Sequence, residues 1–87
     1  MKHHARRRTP TIQAKHWLAQ AEHAVKFMER LKDTPSIHGI KWTGNMVEHY
    51  AQQYFAFREL TPRSCKKQAN ALDVRVNIVV VWKDGLA

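Results

Sequence analysis

Apolar residues at Ala14, Trp17, Leu18, Ala21, Ala24, Val25, Met28 and Leu31 recur in steps of three and four. That spacing lines one face of an α-helix and predicts a first helix of about six turns. Its start falls at Thr9-Pro10 or Thr11, because a proline in the first turn loses no hydrogen bond. Its end falls at Lys32 or Asp33, ahead of Thr34-Pro35, since the residue before a proline is disfavoured in the α conformation. Phe27 lies off the stripe and widens it. From Ser36 to Thr43 the pattern weakens. Ile37 to Trp42 half alternates, as a short strand would, whereas Gly39 and its neighbours favour a loop. A second helix is expected from Thr43-Gly44, with Met46, Val47, Tyr50, Ala51, Tyr54 and Phe57, joined by Phe55, on one broad apolar face ending near Leu60. Thr61-Pro62 then reads as a restart, a capping residue followed by proline at the first helical position.

The chain beyond Pro62 admits two readings. Arg63 to Leu72 forms a short helix in both. Val74 to Trp82 is then either a further helix after a turn at Asp73 or a β-strand, because Val74, Val76, Ile78, Val80 and Trp82 also alternate with period two. The helical reading gives an all-α domain of four to five helices with a C-terminal helix-turn-helix at about 62–83. The other gives an α+β domain with a strand at 74–82. A lone strand has unpaired edges, and its one in-chain partner would be the weak segment Ile37 to Trp42, unless it pairs with a second copy of the chain.

In a helix-turn-helix, two helices cross steeply and nearly touch. The contact asks for a small residue in the first helix, here Ala69, and a turn residue able to take a left-handed backbone, here Asp73. It also asks for apolar residues that close the pair, here Leu72, Val74, Val79 and Trp82. The run Ala69-Asn-Ala-Leu-Asp-Val-Arg-Val-Asn-Ile-Val-Val-Val-Trp-Lys83 resembles the helix-turn-helix of phage, plasmid and bacterial repressors, approximately Ala-x-Ala-Leu-Gly-Val-x-x-x-x-Val-x-x-Trp. The resemblance covers about a quarter of the chain, and Asp73 stands where that pattern has Gly. It implies a sequence-specific transcriptional regulator, a repressor by default, bound to double-stranded DNA as a homodimer with motifs one DNA turn apart. The same resemblance implies base contacts from Arg75, Val76, Asn77, Val80 and Val81, and phosphate contacts from Arg63, Ser64, Lys66, Lys67, Gln68 and Lys83.

Charge points the same way. Fifteen Lys and Arg against seven Asp and Glu leave the 87-residue chain at +8, with an excess suited to a polyanionic partner. The excess sits at the two ends of the sequence. Residues 1–8 form a basic arm with Lys2, Arg6, Arg7 and Arg8 and no acid, a candidate minor-groove contact or a solubilising tail. Residues 9–87 form the single helical domain, whose stretch 9–60 is nearly neutral.

Other chemistry is sparse. The six His include no pair at the i, i+4 spacing of a helical metal site. Cys65 is the one cysteine, without a disulfide partner or a His–acid pair to activate it. Neither an enzyme, a metal nor a cofactor is expected. No segment has the roughly 20 apolar residues of a membrane span, and the arginines of the arm are not followed by an apolar signal core, so a cytoplasmic protein is expected. The alternative function is a small phage-type inhibitor or adaptor that binds a host protein through the outward valines Val76, Val80 and Val81.

Overall fold

The computed structural model describes residues 12–34 and 37–86. The expected start of the first helix at 9–11 and the arm residues Lys2, Arg6, Arg7 and Arg8 lie outside them. Within them are three α-helices and no strand: α1, Ile12–Asp33; α2, Ile40–Leu60; and α3, Lys66–Asp84. A single 3-10 turn, Arg63–Cys65, leads into α3. The fold is therefore all-α, with three α-helices among the described residues where four to five were expected for the domain.

Helix α1 ends where the sequence places its end, with Arg30 and Lys32 in the last turn complementing the negative end of the helix dipole. Helix α2 starts three residues earlier than its apolar face suggests. Gly39 precedes it at φ 101°, a backbone conformation open mainly to glycine. The Thr43 hydroxyl donates to the Gly39 carbonyl at 3.0 Å, so this polar residue is buried in the first turn with its bond made. At the other end Thr61 closes α2 instead of capping the next helix. Its hydroxyl donates to the Phe57 carbonyl at 2.9 Å and its N–H to that of Arg58. Pro62 then restarts the chain as the N-cap of the 3-10 turn.

Five side-chain pairings establish an up-down-up bundle. Trp17 stacks on Phe57 and Phe27 on Tyr50, so α1 and α2 run antiparallel. Lys83 pairs with Glu48, whereas Asp73 meets Tyr54 and Arg58, so α2 and α3 are antiparallel as well. The core is built from Ala21, Ala24, Val25 and Met28 of α1, Val47, Ala51 and Tyr54 of α2, and Leu72, Val76 and Val79 of α3. From Trp17 onward the stripes read from the sequence for α1 and α2 are the faces that pack inward, except that Phe27 and Phe55 are 44 and 56% exposed. Both other helices pack more closely on α1 than on each other. Between α2 and α3 this leaves an open cleft of about 540 Å³ whose walls include Phe55, Asn77 and Val80.

The helix-turn-helix is not formed. Helix α3 runs without interruption through Asp73, and among the described residues no non-glycine residue has positive φ. The reason lies in the Asp73 side chain. Its carboxylate accepts hydrogen bonds from the buried Tyr54 hydroxyl and from Arg58 Nε and Nη2, the latter two at 3.0 and 3.1 Å. These bonds hold residue 73 against α2 in a helical conformation, and no turn forms. The strand alternative at 74–82 fails too. Those residues are helical because Leu72, Val76 and Val79 fall on one helical stripe that the other two helices cover.

Candidate nucleic-acid interface

Residues singled out as base contacts do not share a surface. Arg75 turns toward α1, where its Nε and Nη2 donate to both Glu29 carboxylate oxygens at 2.9 and 2.6 Å. This two-pronged bond holds the Glu29 carboxyl below, and the Arg75 guanidinium above, their ordinary ranges. Val76 is 3% exposed and belongs to the core. Asn77 and Val80 face the cleft beside α2, and Val81 faces outward on α3. Straight through 73, the helix distributes these five side chains around its circumference.

The motif-core residues divide similarly. Ala69, Leu72 and Val79 are buried and Trp82 packs at the edge of the core, but in a three-helix core and not between crossed helices. Val74 is 62% exposed and closes nothing. Burial works to raise the carboxyl pKa of Asp73, and the bonds from Arg58 and Tyr54 outweigh it, so the group stays ionised below the usual range. For Tyr54, burial and then the bond to Asp73 push the phenol above its ordinary value.

The phosphate-contact candidates are brought together, with one exception. Arg63, Ser64, Lys66, Lys67 and Gln68 are all exposed at the end of the bundle where α2 closes and α3 begins. Arg58, Arg63 and Lys66 line a polar concavity there of about 440 Å³ together with Thr61 and Pro62. Lys83 lies at the opposite end, paired with Glu48 and Asp84 at 3.5 and 3.7 Å.

The chain matches no protein-family model, no curated protein and no solved structure.

The physical character of the basic end therefore has to come from its own residues. Because α1 runs antiparallel to α2, the N-terminus of α1 lies at this end too, with exposed Lys15 in the sequence just beyond its first turn. Ion pairs among the described residues take up Lys32, Arg58, Arg75 and Lys83, but not Arg63, Lys66 or Lys67. The first turns of α1 and α3 contain no acid. A helix N-terminus is already positive, and acidic side chains are the ones that stabilise it. Lys66 and Lys67 in the first turn of α3 therefore work against the helix dipole and cost stability.

Elsewhere the described residues offer little chemistry. None form a group of three or more His, Cys, Asp or Glu able to hold a metal ion, and Cys65 is a buried free thiol. No helix among them is long and apolar enough to cross a membrane. The sequence contains the signal for the basic end, since Arg63-Ser-Cys-Lys-Lys67 is visible as a charge cluster. What it does not reveal is that Arg75 and Lys83 are neutralised by partners 46 and 35 residues away.

Proposed function

We propose that this protein binds double-stranded DNA through its backbone phosphates, using the basic end of the bundle. The observation that carries the reading is the cluster of Arg63, Lys66 and Lys67, exposed and outside every ion pair among the described residues, at the positive end of α3. In the sequence, Lys2, Arg6, Arg7 and Arg8 precede α1 and add four cations and no acid to the chain's basic excess. Phosphate contacts position a protein on a duplex without reading its sequence. The sequence-specific repressor implied by the motif needs a reading helix, and α3 has Val76 in the core and Arg75 tied to Glu29. Charge supports contact with DNA; among the described residues the five base-contact candidates do not form one reading surface beside it.

The test is a salt titration of duplex binding by the full chain. Affinity should fall steeply as salt rises, with a log–log slope of about 0.9 per phosphate neutralised. Replacing Arg63, Lys66 and Lys67 together by Gln should flatten that slope by about 2.7 and weaken binding at least tenfold at about 0.1 M salt. Arg75→Ala should leave affinity and base preference unchanged, because Glu29 already occupies that guanidinium. Failure to shift any duplex at low salt overturns the reading, as does a triple variant that binds like the parent. Tighter retention on anionic vesicles than on DNA would assign the basic end to a lipid surface and overturn it as well.

A further inference from the structure

Helix α3 carries a second apolar stripe on the side away from the core. Ala71, Val74, Ile78 and Val81 follow one another at steps of three, four and three, and all four are exposed. Val74, Ile78 and Val81 are 62, 57 and 65% exposed, and no charged residue falls on the ridge between Lys67 and Asp84. A surface helix normally shows one apolar stripe and covers it. Here α1 and α2 cover the stripe through Ala69, Leu72, Val76 and Val79, and the other faces water.

We infer that this ridge is the contact for a second copy of the chain, packed with the two α3 helices antiparallel. The spacing itself is two-fold symmetric. Reversed about its midpoint, the ridge superimposes on itself, which sets Val74 opposite Ile78 of the second copy and Ala71 opposite Val81. A two-fold interface requires this kind of self-complementarity. Charge selects the direction. Parallel packing would bring Lys66 and Lys67 of both copies together at one end of the contact and the two Asp84 carboxylates together at the other. Antiparallel packing places each lysine pair near the partner's Asp84 and the negative end of its helix dipole. Asp84 is available for this, being 68% exposed at its side chain and held by Lys83 only at 3.7 Å. A chain of 87 residues buries a modest core of its own, and a contiguous apolar ridge left in water favours association.

The dimer has a geometric consequence for the proposed DNA reading, although it does not depend on that reading. With residue 76 at the centre of the contact, the N-terminal ends of the two α3 helices stand about 30 Å apart at 1.5 Å per residue. That matches roughly the ~34 Å turn of a DNA duplex.

Sedimentation of the full chain without DNA tests the inference. The parent should be a dimer, and Val74→Glu combined with Ile78→Glu should weaken association at least a hundredfold with helical circular dichroism retained, since both side chains are exposed. Direction is tested by oxidation. A mixture of Val74→Cys and Ile78→Cys chains should form the mixed disulfide faster than either variant links to itself. A monomer at all concentrations overturns the inference. So does a dimer indifferent to the two glutamates, or self-linking that outpaces the mixed product. Because DNA is absent throughout, loss of DNA binding and loss of the dimer are separate results.

Discussion

Val76→Asp is expected to unfold the protein at neutral pH, whereas Val74→Asp, two residues earlier on the same helix, should leave it folded. The contrast follows from the register of α3. Val76 is 3% exposed among α1 and α2 side chains, and Val74 is 62% exposed. An uncompensated carboxylate inside a core costs several kcal/mol, against a total stability of about 5–15 kcal/mol for a small domain. At the outward position the same group stays in water and its cost is a few tenths of a kcal/mol in helix propensity. Chemical denaturation followed by circular dichroism measures both, at protein concentrations low enough that association does not add to apparent stability. If Val76→Asp folds like the parent, the assignment of the buried face of α3 is wrong. A recognition helix with Val76 in a DNA groove predicts that tolerance.

Asp73 gives the second large effect. Asp73→Ala is expected to destabilise the protein by about 1–3 kcal/mol, because it strands the buried Tyr54 hydroxyl and releases Arg58. Partial exposure of the carboxylate keeps the cost away from the larger values of fully buried ion pairs. Asp73→Gly should cost about 1 kcal/mol more than Asp73→Ala, since glycine disfavours a helix interior by that amount. A left-handed turn at 73 would reverse the order, with Gly the more stable of the two. The pH dependence has a definite sign. The Asp73 and Glu29 carboxyls titrate below their ordinary values when folded, so their stabilisation is fully present above the unfolded pKa. It is lost as pH falls through the lower folded values, in the window below about 4. Tyr54 acts oppositely. Its raised phenol pKa favours the fold at neutral pH, and that contribution fades as the solution becomes strongly alkaline, above about 10. Thermal or urea melts across pH should show acid weakening that Asp73→Asn reduces; an unchanged profile in that variant would remove Asp73 from the account.

Helices α1 and α2 were legible from residues that are both apolar and inward. Ala21, Val25 and Met28, or Val47, Ala51 and Tyr54, announce a helical face because the pattern has one stripe per helix. The true start of α2 was hidden because Ile40 and Trp42 are exposed and the inward residue of the first turn is the polar Thr43. Helix α3 is concealed in the sequence for a more general reason. Its buried stripe, Ala69, Leu72, Val76 and Val79, and its exposed stripe, Ala71, Val74, Ile78 and Val81, interleave in sequence. Superimposed, two helical periods look like an unbroken apolar run, and the alternation of a strand appears in it by coincidence. Asp73 looked like a turn because its residue type tolerates one, while its partners Tyr54 and Arg58 are 19 and 15 residues distant. The basic end is half legible. The cluster Arg63, Lys66 and Lys67 reads directly, but the pairings that withdraw Arg75 and Lys83 from it are tertiary.

The β-branched make-up of α3 sets the behaviour of the unfolded chain. Isolated from α1 and α2, Val76-Asn-Ile-Val-Val-Val-Trp82 has weak helix propensity and strong strand propensity. It also has no charge, no proline and no glycine, the composition of segments that stack into cross-β fibrils. Helix α3 is thus a conditional helix, and the native bundle keeps an amyloid-prone heptapeptide in a conformation that cannot template another strand. Acid, which protonates Asp73 and Glu29 and leaves the segment's own sequence intact, is therefore the condition expected to detach α3, expose it and turn unfolding toward aggregation.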